Sequence, residues 1–115
     1  TLSTATTLDL FAQTITHTLQ QDLTVIAAGN HTIQKIAWCT GAAQNFIELA
    51  VGVGVDAYLT GEVSEQTVHI AREAGLHFFS AGHHATERYG VQAVGNYLSE
   101  KFSIQHEFID IENPV

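Results

Sequence analysis

The chain has no methionine, one cysteine and one proline among its 115 residues. A lone thiol, Cys39, excludes an internal disulfide. Only Lys35, Arg72, Arg88 and Lys101 are basic, and they are scattered against twelve acids, for a formal charge of −8. Nucleic-acid binders present clustered positive charge, so DNA or RNA is not an expected partner. No stretch approaches the roughly 18 apolar residues of a membrane helix. Residues 1–13 lack the basic region and apolar core of a secretory signal. The expected setting is therefore the cytoplasm, away from any membrane. A start at Thr1 with no methionine raises a further expectation, that the chain is a piece of something longer.

What is present fits a globular fold. Hydrophobic residues make up 45% of the chain, enough for a core in one small domain. No repeat, low-complexity tract or linker divides it, so a single α/β domain over residues 1–115 is expected. Leu8, Phe11, Ala12, Ile15 and Leu19 follow helical spacing, with Thr6 or Thr7 placed to cap the start. Residues 23–28 read as a strand and 29–32 as a turn. Residues 33–39 read as a second strand, possibly antiparallel to the first. Alternation follows: helix 42–50, strand 55–59, helix 64–74, strand 77–81, helix 83–102 and a last strand 104–111. This order predicts an α/β layered sandwich, a mostly parallel sheet flanked by helices. Right-handed crossovers then bring the turns Cys39-Thr40-Gly41-Ala42, Thr60-Gly61-Glu62 and Ala81-Gly82-His83 to one edge, where α/β sheets bind ligands.

Gly82-His83-His84-Ala85-Thr86-Glu87 is the segment richest in chemistry. His83 and Glu87 are four residues apart and share a helix face. Val91, Val94 and Leu98 continue that face, so the stripe is expected to pack on the sheet. A carboxylate in core-facing phase needs a partner, and a divalent cation would take both the carboxylate and the imidazole lone pair. A helix-start carboxylate beside a capping histidine fits the same spacing. His84, about a hundred degrees round the helix, reads as either substrate-facing or merely exposed. Glu62, at a strand end, suits an acid/base role, a metal contact or a plain helix-flanking acid near Ser64. Thr40 and Gly41 open a helix and could present backbone N–H groups to a phosphate, without the spacing or lysine of a P-loop. Cys39 reads as an inert thiol, and His69 as solvent-facing beside Glu65 and Glu73.

Three segments carry a resemblance. Thr60-Gly61-Glu62-Val63-Ser64-Glu65-Gln66-Thr67-Val68-His69, Gly82-His83-His84-Ala85-Thr86-Glu87-Arg88 and the ending Phe108-Ile109-Asp110-Ile111-Glu112-Asn113-Pro114-Val115 are similar to signatures of GTP cyclohydrolase I type 2 homologues, the NIF-three-like family. The match is dense from about residue 33 onward and holds only in outline before it. The resemblance implies a dinuclear centre with His83 and Glu87 as metal ligands, two divalent ions per complete site, drawn from zinc, manganese, iron or magnesium. It implies two linked α/β layers and a toroidal homohexamer. Family members are about twice as long, and their amino-terminal half supplies further ligands, typically an adjacent histidine pair and an aspartate. This chain then corresponds to the carboxy-terminal half. The implied activity is a hydrolase in which metal-activated water opens the imidazole ring of a guanine nucleotide or attacks a similar substrate. Glu62 would then be the acid/base, with Thr40, Gly41 and His84 near the substrate. A non-catalytic, metal-stabilised scaffold or partner-binding ring is the alternative.

Overall fold

The computed structural model describes residues 1–113; Pro114 and Val115, the end of the closing motif, lie outside the described residues. Its elements run α1 (Leu8–Leu19), β1 (Thr24–Ile26), β2 (Ile36–Trp38), a 3-10 turn (Gln44–Phe46), α2 (Ile47–Val53), β3 (Ala57–Thr60), α3 (Glu65–Ala74), β4 (His77–Ser80) and α4 (His83–Phe102). Local chemistry explains the boundaries. Thr7 Oγ1 accepts from Leu10 N and starts α1. Ser64 caps α3 by accepting from Thr67 N, and Thr67 answers through its own hydroxyl. Gly54 and Gly75 end α2 and α3 in the left-handed conformation, which glycine adopts without a Cβ clash.

The sheet order is β1-β4-β3-β2. β2 with β3, and β3 with β4, are parallel, while β1 runs antiparallel to β4. The mostly parallel sheet is thus as expected. The proposed pairing of the first two strands is not found: β1 and β2 are opposite edges, and β4 takes the antiparallel partner's place. Alternate residues of the central strands feed two cores. On one face Tyr58 and Phe78 pack with Ile47 and Ala50 of α2 and Ala71 of α3. On the other, Ala57 and Phe79 pack with the apolar side of α1, where Phe11 meets Phe79 edge-on at 5.1 Å. Phe78 and Phe79 are both fully buried, as expected for a strand covered on both faces.

Two expectations are corrected. Residues 104–111 form no strand. They find no strand neighbour and instead double back along α4, where Ser99 Oγ donates to Ile104 O at 2.7 Å. The stripe Val91, Val94 and Leu98 does not pack on the sheet either: these residues are 60%, 58% and 37% exposed. The cause is length. A 20-residue helix extends about 30 Å, whereas the 4-residue strand before it spans about 13 Å. Only Ala85, in the first turn, is buried on α4. No described helix is long and apolar enough to cross a membrane.

Candidate metal centre

The parallel order β4-β3-β2 lays the three strand-to-helix turns side by side, and backbone bonds join them. Gly61 N donates to Gly41 O at 2.9 Å, and Gly82 N donates to Gly61 O at 3.0 Å. Thr60 Oγ1 also donates to Gly41 O at 3.1 Å. Thr86, in the first turn of α4, accepts from Gly41 N at 3.0 Å. A Cβ on Gly61 would lie 2.7 Å from Gly41 O and 2.8 Å from His83 Cα. Only glycine lets these backbones meet.

The side chains converge on this ledge. His83 Nδ1 lies 2.7 Å from Glu62 Oε1, and His83 Nε2 lies 3.1 Å from Glu87 Oε2. Gln44 Nε2 donates to Glu62 Oε2 at 3.3 Å. The order of contact is therefore Gln44, Glu62, His83, Glu87. The bond from Glu62 holds His83 above the ordinary histidine range, and the Glu87 carboxylate adds to the effect. With a proton on each ring nitrogen, His83 donates to both carboxylates. With Nδ1–H held by Glu62, the lone pair of Nε2 faces Glu87 across a gap that only a proton or a cation can fill without repulsion. Gly41 keeps that gap accessible: its Cβ would sit 3.1 Å from His83 Nε2 and against Glu87 Oε1. An imidazole fixed by a carboxylate, with its other nitrogen beside a second carboxylate, suits a divalent ion. His83 and Glu87 are the residues that could hold it. Among the described residues, no group of three or more His, Cys, Asp or Glu is arranged to hold a metal.

The other expected residues are distributed as follows. Glu62 joins the cluster, and both its oxygens are engaged, which suits orientation of His83 better than mobile acid/base work. Gly41 joins it through its backbone, and its N–H is taken by Thr86 rather than left for a phosphate. Thr40 is exposed beside it. His84 turns away and pairs with Asp110 Oδ1 at 2.9 Å, while Arg88 Nη1 donates to Asp110 Oδ2 at 3.0 Å. The bond from His84, then the charge of Arg88, keeps the Asp110 carboxyl below its ordinary range. His69 is exposed on α3 and Cys39 is half-buried. Residue patterns put Gly61 in a turn at this edge and Thr86 in the His83 motif without giving either a role, and did not place Gln44 or Asp110 in this region. Gly61 and Thr86 lie within the two quoted signatures and Asp110 within the closing one; Gln44 carries no such signal.

Comparison with known proteins identifies the family. The family model described as Duf34/NIF3 (NGG1p interacting factor 3) matches residues 1–114. The chain belongs to the Duf34/NIF3 family. A GTP cyclohydrolase 1 type 2 homolog of Pseudomonas aeruginosa is 59% identical over 104 residues, 90% of this chain and 41% of that protein. One from Pasteurella multocida is 50% identical over 115 residues, 99% of this chain and 46% of that protein. Among solved structures, protein ybgI matches with a TM-score of 0.95 at 46% identity, over 98% of this chain and 46% of its own. The chain thus spans less than half the length of these relatives. The family match spans the first two quoted segments in full and the third as far as residue 114.

Proposed function

We propose that this chain is the carboxy-terminal half of a dinuclear-metal hydrolase acting on a nucleotide-like substrate. One observation carries the reading: His83 is fixed through Nδ1 by Glu62 and presents Nε2 beside Glu87 at a gap that Gly41 keeps accessible. His83 and Glu87 would be ligands, and Glu62 would hold the imidazole in the metal-binding tautomer. Divalent ions bound there would supply Lewis acidity and activate water for hydrolysis. The remaining ligands would come from the amino-terminal half, in keeping with a cluster too small to hold a metal alone and with relatives more than twice this length. A homohexamer in the cytoplasm is part of the same proposal, by likeness to the family.

The test is metal content of the full-length protein against its His83→Ala and Glu87→Ala variants. Each variant is expected to lose metal. Full stoichiometry in both would overturn the ligand assignment. Incubating the loaded protein with guanine nucleotides then tests the chemistry, and a ring-opened product is the expected result. The exposed apolar stripe Val91, Val94 and Leu98 favours a second reading, a metal-stabilised ring that binds partners. Full metal content with no turnover of guanine nucleotides would favour that reading.

A further inference from the structure

The tail runs antiparallel to α4 and returns to the site. Ile104 is tied to Ser99. The His106 ring lies so close over Gly95 that a Cβ there would overlap it. Glycine within a helix costs about 1 kcal/mol relative to alanine, and passage of the tail gives Gly95 a reason. Farther on, Asp110 is gripped by both His84 and Arg88. Arg88 Nη2 also donates to Leu19 O at 2.9 Å, so the lock joins the tail, α4 and the end of α1. On either side of the lock, Phe108 and Asn113 line a cleft of about 530 Å³ together with His83, Glu87 and Val91.

That volume is within the range of small-molecule sites. Its two ends differ. The guanidinium of Arg88 and the imidazoles of His83 and His84 stand at one end, beside the carboxylate of Glu87, while Val91 and Phe108 make the other apolar. We propose that this cleft binds a small molecule carrying an aromatic ring and an anionic group, that Phe108 is the wall for the ring, and that Asp110 is the positioning residue holding that wall. The proposal rests on His83 and Glu87 as the reactive end of the site, but its geometry depends on the tail.

The experiment uses the full-length protein with phenyl phosphate as probe, followed by calorimetry and by saturation-transfer NMR. Binding is expected at one site per chain, with Kd raised tenfold or more in Phe108→Ala and in Asp110→Ala. Asp110→Glu should recover part of the loss, and inorganic phosphate should bind Phe108→Ala as it binds the parent. Proteolysis within residues 104–110 should quicken in Asp110→Asn while hydrogen exchange in the sheet stays slow, which separates an unlocked tail from a failure to fold. No binding by the full-length protein, or equal Kd in all variants, would overturn the proposal. Loss of metal from Asp110→Ala would also overturn it, by placing Asp110 in the metal site. Full metal content in both His83→Ala and Glu87→Ala would refute the ligand assignment and leave the probe results to judge the cleft.

Discussion

Replacing Gly61 by alanine should damage stability and site together. The added Cβ would stand 2.7 Å from Gly41 O, 2.8 Å from His83 Cα and 3.0 Å from His83 N. All three are backbone atoms, so no rotamer change relieves the contact. Gly61 does not need a left-handed conformation, so the whole effect is steric. Restoring ordinary carbon contact requires one turn to retreat by about 0.8 Å. That retreat stretches the bonds Gly61 N to Gly41 O and Gly82 N to Gly61 O. Overpacking costs about 1–3 kcal/mol and each weakened bond up to about 1 kcal/mol, for a sum of about 2–4 kcal/mol. Denaturant unfolding of the full-length protein measures it as a lower midpoint at unchanged slope. Metal content should fall as well, since His83 moves with its backbone. Gly90→Ala is the matched control: Gly90 lies inside α4 with nothing within 4 Å of its Cβ position, so alanine should add up to about 1 kcal/mol. A Gly61→Ala protein within about 0.5 kcal/mol of the parent would refute the close-packed ledge.

Gly95→Ala should displace the His106 ring and quicken proteolysis within residues 104–110 without the stability gain of Gly90→Ala; an unchanged cleavage rate would contradict the tail's path. A pH effect is expected at the opposite end of the sheet. Fully buried His77 accepts from Ala28 N at 3.2 Å and donates through Nε2 to His31 O at 3.1 Å, which fixes it neutral. The His31 ring stacks on it at 3.9 Å, and Asp56, near the start of β3, accepts from Gln34 N and Lys35 N at 2.8 and 2.7 Å. Burial pushes His77 below its ordinary value, against weaker opposition from the bond to His31 O. The unfolded chain therefore takes up a proton first as pH falls. The contribution of His77 is full above about pH 6.5 and is lost as pH drops through its lowered folded value. Unfolding midpoints should decline between about pH 7 and pH 5, with a shallower decline in His77→Asn; identical profiles would exclude His77 as the cause.

Local signals placed α1, α3, β4 and α4 well because caps and periodicity reside within a few residues. Thr7 and Ser64 announce two helix starts, and Leu8, Phe11, Ala12, Ile15 and Leu19 mark the buried side of α1. Edge order was beyond such signals. β1 and β2 are neighbours in sequence, yet β1 pairs with β4. The crossover between the two edge strands is pinned by His77 and Asp56, from distant parts of the chain. The candidate site divides in the same way. The spacing of His83 and Glu87 puts them on one face, and strand order brings Glu62 to them. The bond from Gly41 N to Thr86 crosses 45 positions, and the pair His84–Asp110 crosses 26. Neither has a local pattern.

The α4 stripe gives the physical limit of helical phase. His83, Glu87, Val91, Val94 and Leu98 do share a side, but phase says nothing of what faces that side. The sheet ends beneath the first turn, where Ala85 is buried. His83 and Glu87 stand at that boundary, with side chains 39% and 51% exposed. Glu62 can reach His83 only because Gly61 brings β3's end against the helix start. One turn farther along α4, no strand end remains to meet an imidazole. A histidine at Val91 would share the same phase but lack the partner that orients it. The position of the His83–Glu87 pair is therefore set by where β3 and β4 stop, and its spacing by the helix that begins there.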